Sequence, residues 1–121
     1  MKQVVKENKY HNVRVKTDGI NFDSKKEERR YQDLKLLHRA GEITYFIVHP
    51  VFPLQESFKD KWTGKHERAI TYEGDFAVKY SDLDHWVVED IKGGNATKTR
   101  DFLNKRKMFL KRYPCLELRL L

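Results

Sequence analysis

The residues best suited to chemistry flank one turn. Asp75 lies before the turn-like break Ser81-Asp82-Leu83-Asp84, Asp90 lies after it, and Lys92 follows Asp90 by two residues. Ile70 to Tyr80 and His85 to Lys92 both read as extended. With the turn centred between Asp82 and Leu83, the antiparallel register sets Phe76 opposite Glu89 and Asp75 opposite Asp90. Directly opposed side chains have Cβ atoms about 4.5–5.5 Å apart on one face, and two like charges there repel unless something neutralises them. A divalent cation would do so. Lys92 falls on the same face as Asp90, about 6.6 Å further along. Mg²⁺ takes one or two carboxylates and fills its remaining sites with water and phosphate oxygen. The metal polarises the phosphate and lowers the pKa of a bound water, and an ammonium orients that water or offsets growing charge. Phe76, Val78, Tyr80, Val87 and Ile91 gather on the opposite face, the expected core side, and alternation aims Glu89 that way too. The same register also offers an ordinary account, in which Glu73 faces Lys92 and pairs with it while Asp75 sits at a wet edge.

Elements on both sides must position these groups. A basic, flexible arm is expected to about Tyr10, followed by a hairpin in which Val13 and Val15 pair with Ile20 and Phe22 around Asp18-Gly19. Asp23 or Ser24 caps a helix with Tyr31, Leu34, Leu37 and His38 at helical spacing, and Gly41 ends it. Glu27 lies on its inward stripe and offers a third carboxylate, although its place three residues after Ser24 also fits a capping box. Glu28, Gln32 and Lys35 are expected on the wetter side. The run ITYFIVHPVFPL from Ile43 reads as a strand that bends or becomes an edge at Pro50 and Pro53, and residues 55–69 read as a loop. Gly93-Gly94-Asn95 ends the strand that carries Asp90. Thr97 or Thr99 then starts a second helix, with Phe102, Leu103, Phe109, Leu110 and Tyr113 on its apolar face and Pro114 as its stop. Leu116, Leu118 and Leu120 alternate in a last strand.

The strings Tyr72-Glu73-Gly74-Asp75-Phe76 and Val87-Val88-Glu89-Asp90-Ile91-Lys92-Gly93 resemble the PD-(D/E)xK nuclease signature. KYHNVRVKTDGINFDSKKE, the Ala40-Gly41-Glu42-Ile43 helix end and the later Thr97, Phe102, Lys105, Lys107 and Tyr113-Pro114 extend the likeness over most of the chain, toward small phage-encoded proteins regarded as endonucleases. The resemblance implies an α/β fold with a restriction-endonuclease-like core. In it a central mixed β-sheet is flanked by helices in the order helix, three-strand meander, helix, strand, with an N-terminal hairpin in front. It implies Asp75, Asp90, Ile91 and Glu27 as the metal-ligand set, Lys92 as the catalytic lysine, and Mg²⁺ or Mn²⁺ as cofactor. Gly74 stands where the signature has Pro, and Asp90 stands where Glu is commoner. The implied activity is phosphodiester hydrolysis in DNA, with branched DNA such as a Holliday junction as the substrate of a resolvase-like homodimer in the host cytoplasm. The competing expectation is a DNA-binding or regulatory protein that does not cut.

Composition bears on both. The 121 residues leave room for a single domain over 1–121, and 39% hydrophobic content supports one core despite 36% charged residues. The formal net charge is +7 and pI ≈ 9.5. Residues 1–40 hold eleven Lys/Arg against six Asp/Glu, residues 41–91 hold five against ten, and residues 92–121 hold nine against two. Basic ends around an acidic centre suit a polyanion held over a cation site. Lys9, Lys25, Lys98 and Lys105 are the candidate phosphate contacts, with Lys2, Lys6 and Tyr10 also on the arm. Trp62 and Trp86 are candidates for stacking on bases, half-burial being the ordinary expectation for such rings. MKQVVKENKY has no apolar signal-peptide stretch, and no apolar run nears the ~20 residues that span a bilayer, so no membrane association is expected. Cys115 excludes an internal disulfide and reads as a buried thiol, and the five His residues show no zinc spacing.

Overall fold

A computed structural model describes residues 2–7 (backbone), 13–91 and 99–121. The chain forms two compact units, residues 1–44 and 45–121. In the first, Asp18-Gly19 closes the expected hairpin between β2 (Val13–Thr17) and β3 (Ile20–Phe22). The arm expected to be flexible instead carries β1 (Lys2–Glu7), which pairs antiparallel with β2 through a bulge between Val4 and Glu7. Helix α1 (Lys25–Arg39) packs on β2 and β3. Ser24 caps it by accepting the Glu27 N–H at 3.1 Å. Gly41, at φ 82°, ends it with the paired Gly41 N–H to His38 and Glu42 N–H to Leu37 bonds of a Schellman turn.

The apolar stripe of α1 is wider at its start than its spacing suggests. Glu27 and Glu28 are both buried with Tyr31 and Leu34, and Glu28, expected on the wet side, is only 1% exposed. Consecutive helical residues lie about 100° apart, so a stripe of ordinary width takes in both. Tyr31 stacks on Phe22 with ring centroids 5.0 Å apart and donates its hydroxyl to Asp18 Oδ2 at 2.9 Å, while Lys35 reaches the same oxygen at 2.8 Å. These two bonds tie α1 to the hairpin turn. Lys35 and then Tyr31 hold the Asp18 carboxyl below its ordinary range, and burial followed by Asp18 pushes the Tyr31 phenol up to about 12.

The second unit is built on two strands that stay paired through a shared kink. One runs as β4 (Ile43–Val48), which begins at the division between the units, and then β5 (Val51–Gln55). Its partner runs as β8 (Ile70–Glu73) and β9 (Phe76–Tyr80). The break falls at His49-Pro50, with His49 at φ 55°, and at Gly74-Asp75. The His49 N–H donates to the Asp75 carbonyl at 2.9 Å and the Gly74 N–H to the Pro50 carbonyl at 3.0 Å, so pairing continues across the bend. Beyond it β5 pairs only with β8, and a register shift between Pro53 and Gln55 absorbs the proline that cannot donate. The bending edge strand read from Pro50 and Pro53 is therefore present.

Strand β10 (Val87–Asp90) is central in the sheet β11-β10-β9-β4, antiparallel to β9 and parallel to β11 (Glu117–Leu120). The sheet is mixed and the fold is α/β. Helix α2 (Arg100–Arg112), capped by Thr99, packs on β5 and β8. Phe109 meets Tyr72 and Phe52, each at 5.0 Å between ring centroids. Leu54, Tyr72, Val88 and Phe109 form the core there. Val88 shares the face of Asp90, so this face is packed as well as the Phe76/Val78/Val87 side where the core was expected. Residues 55–69 are not all loop, because β6 (Phe58–Lys59) and β7 (His66–Glu67) make a small hairpin. Cys115 lies exposed in the turn after α2 rather than buried. No helix among the described residues is long and apolar enough to cross a membrane.

Candidate functional site

The β9–β10 register matches the one read from the turn: Val87 faces Val78, Val88 faces Ala77 and Glu89 faces Phe76. One step further the ladder changes character. Asp75 sits in the kink, its N–H donating to the Glu89 carbonyl at 3.0 Å and its carboxylate Oδ2 accepting the Ile91 N–H at 2.6 Å. Asp75 thus clamps the end of β10 with main chain and side chain together. β8 pairs with β5 and sets Glu73 opposite Val51, while Lys92, the partner expected for Glu73, lies outside the described residues.

Gly74 makes the kink possible. A Cβ at this position would lie 2.8 Å from Val88 Cγ1, closer than packed carbons allow, and 3.5 Å from the Pro50 ring. A proline here would also remove the N–H that bonds Pro50. The departure from the PD signature at this position therefore has a local physical cause.

Asp90 is 1% exposed, at the end of the central strand. Its Oδ2 accepts the Tyr72 hydroxyl at 2.5 Å, and its carbonyl accepts the Leu121 N–H at 2.9 Å. Tyr72 is itself buried beside Phe109 and Phe102. Burial, then the bond to Asp90, then the charges of Asp90 and Asp75 hold its phenol well above the ordinary range, so it remains a donor at any ordinary pH. Glu89 points to the other face, as alternation expects, and accepts the Tyr80 hydroxyl at 2.5 Å.

Asp90 opens on a cleft of ≈ 510 Å³ that Glu73, Asp101, Thr99 and Lys105 also line. Lys105 pairs with Asp101 at 3.7 Å across one helical turn. Carboxylates from β8, β10 and α2 therefore line one cleft with a lysine and the capped start of α2, which gives it both signs of charge. Asp75 is not among the cleft's described lining residues and stands on the kink side of the strand end.

The family described as protein of unknown function (DUF1064) matches residues 7–121. The chain belongs to that family. No curated protein and no solved structure matches it. In this DUF1064 chain the sequence-derived candidates fall on both units. Asp75, Asp90 and Ile91 come together at the end of β10, and Lys105 joins Asp90 at the cleft. Glu27 belongs to the first unit, where it is buried on α1, and Lys25 is exposed at the start of the same helix. Lys92, Lys9 and Lys98 lie outside the described residues, as does Thr97, and the side chains of Lys2 and Lys6 are likewise undescribed.

Sequence reasoning missed Tyr72, Glu73 and Asp101 as neighbours of Asp90. Tyr72 and Glu73 were legible only as residues of one long strand, and the break at Gly74 is what turns them toward α2. Among the described residues no group of three or more His, Cys, Asp or Glu side chains stands close enough to hold a metal ion. The donors present are nonetheless all carboxylate oxygens, and two of them suffice for Mg²⁺, which keeps several waters.

Proposed function

We propose that this protein is a Mg²⁺-dependent endonuclease acting on DNA, with a restriction-endonuclease-like core. The observation that carries the reading is the arrival of Asp75 and Asp90 at the kinked end of β10, where the Asp75 carboxylate accepts the Ile91 N–H and the Asp90 carboxylate accepts the Tyr72 hydroxyl. Asp75 and Asp90 would hold the metal, Mn²⁺ being able to replace Mg²⁺. When bound, the ion would polarise a phosphate oxygen and lower the pKa of a coordinated water.

The chain's own residues have separate tasks. Tyr72 fixes one oxygen of Asp90, and the Ile91 N–H fixes one oxygen of Asp75. Each carboxylate is thereby oriented before any ligand arrives, which is the use of outer hydrogen bonds at metal-holding side chains. Lys105 and the capped start of α2 supply positive potential beside the cleft for the phosphate backbone. Lys92, two residues past Asp90, is assigned the catalytic lysine by resemblance to the nuclease signature, and Glu27 the accessory carboxylate. Branched DNA as substrate and a homodimer as the acting species rest on the same resemblance.

The test is a cleavage assay with Mg²⁺ or Mn²⁺ that compares four-way junction, flap, linear duplex and single strand. Cleavage is expected on branched DNA, with Asp90→Asn and Lys92→Ala each lowering the rate by about a hundredfold or more, as loss of a group acting on transition-state charge does. Undiminished cleavage by either variant would reject the assigned site. DNA binding without turnover in either metal would instead support a binding or regulatory role.

A further inference from the structure

Four of the five Lys/Arg residues in the otherwise acidic stretch 41–91 are Lys59, Lys61, Lys65 and Arg68. All four fall in or beside the small β6–β7 hairpin. At its tip Trp62 is 85% exposed, far from the half-burial expected of such a ring. A single exposed apolar side chain is ordinary on a protein surface. This one is held in place by a built turn.

Asp60 and Lys65 close the loop through an N–H to carbonyl bond of 2.8 Å, and the Gly64 N–H returns to the Asp60 carbonyl at 2.7 Å. The Asp60 side chain accepts the Trp62 N–H at 2.9 Å, and the Thr63 hydroxyl accepts the Lys65 N–H at 3.2 Å. Asp60, a carboxylate that would offset the hairpin's positive charge, is therefore engaged with the turn's own backbone. The Trp62 N–H is the main reason its carboxyl lies below the ordinary range. Lys61 Nζ stands 5.1 Å from the indole centroid. Beside the hairpin, Phe58, Asp60, Lys65, His66, Glu67 and Arg68 line a concavity of ≈ 590 Å³, within the roughly 300–1,000 Å³ of ligand sites.

An exposed indole held by a hydrogen-bonded turn, with Lys61 against its ring, three further cations in or beside the same hairpin and a second half-exposed aromatic at the base, has the make-up of a stacking platform for unpaired nucleotides. Base–aromatic stacking is tolerant of sequence, and cations beside the ring engage the adjoining phosphates. We propose that the β6–β7 hairpin grips single-stranded nucleic acid, with Trp62 stacking on an unpaired base and Lys59, Lys61, Lys65 and Arg68 meeting the flanking phosphates. Stacking needs no metal, so the grip stands apart from the cutting reaction and would direct it toward DNA with unpaired bases.

The experiment measures binding of fluorescein-labelled oligo-dT and of a duplex of equal length by anisotropy in EDTA, with tryptophan emission followed in parallel. Unmodified protein is expected to bind oligo-dT with quenching of tryptophan emission. Trp62→Ala should weaken that binding about tenfold or more and abolish most of the quenching, with Trp62→Phe intermediate. The same variant should bind duplex within about threefold of the unmodified protein, since stacking on paired bases is closed to it. Replacing Lys61 and Lys65 together by Ala should make the salt slope for oligo-dT shallower by about 1.4. Absence of oligo-dT binding, unchanged binding by Trp62→Ala, or an equal loss on duplex would each overturn the grip. Binding of oligo-dT in EDTA is read without any cleavage, so a site assignment that fails in the cleavage assay leaves this result readable.

Discussion

Gly74 shows how one residue decides the site's geometry. Its hydrogen stands where a Cβ would press on Val88 at 2.8 Å, and its N–H holds Pro50 across the bend. Gly74→Ala is expected to cost about 1–3 kcal/mol, the range for overpacking a filled core, read as a lower midpoint in urea unfolding. The double variant Gly74→Ala with Val88→Ala should recover part of the cost of the added methyl, because the two side chains compete for one space. A strictly additive result would count against the contact. From sequence Gly74 was visible only as a missing proline. Its reason lies in Val88, fourteen residues away, which no local pattern connects to it. Trp62 is a similar case: nothing in its neighbourhood along the chain distinguishes an exposed ring from a half-buried one, whereas the hydrogen-bonded turn around Asp60 does.

At the scale of elements, the end strand β11 is joined to the sheet by a side-chain clasp as well as by its ladder. His85 Nε2 lies 2.7 Å from Glu117 Oε1 and its Nδ1 lies 3.1 Å from Asp84, while Arg119 donates to Glu117 at 2.6 Å. Glu117 first, then Asp84, raises the His85 pKa above 6.5. Arg119 first, then His85, lowers that of Glu117 from 4.5 to about 2. The signs give a window. A raised histidine contributes stability that is complete below 6.5 and disappears as pH climbs through its folded value. A lowered glutamate contributes stability that is present above 4.5 and disappears as pH falls toward about 2. The clasp is therefore strongest between those limits. NMR titration of His85 should find its pKa above 6.5, and Glu117→Gln should bring it down. A pKa unchanged by that substitution would remove Glu117 as the cause. The groups are exposed enough for salt to weaken the effect. Helices and strands themselves were largely legible: α1 from its Ser24 cap to Gly41, the Asp18-Gly19 hairpin, and the β9–β10 register from the Ser81–Asp84 turn. The small β6–β7 hairpin was not, because strands of two residues carry no period.

Across the whole molecule, the charge is divided between basic ends and an acidic centre, and the division predicts how DNA binding responds to salt. In EDTA the affinity for duplex should fall with a log–log slope of about −0.9 for each phosphate engaged, and Asp75→Asn should leave that slope unchanged. A flat response would show that the basic ends do not hold the backbone. Sequence alone determined the charge division, the caps and periods that start and stop each helix, and the antiparallel register across the Ser81–Asp84 turn. These depend on spacing along the chain, and local stereochemistry reads spacing directly. Only the tertiary structure decided that the long strand breaks at Gly74, that Glu73 and Asp101 join Asp90 at one cleft with Tyr72 as its hydrogen-bond donor, and that Trp62 stands free on a stiff cationic hairpin. Each of those depends on contacts between residues far apart in sequence, where packing volume and the need to satisfy buried polar groups outweigh local preference.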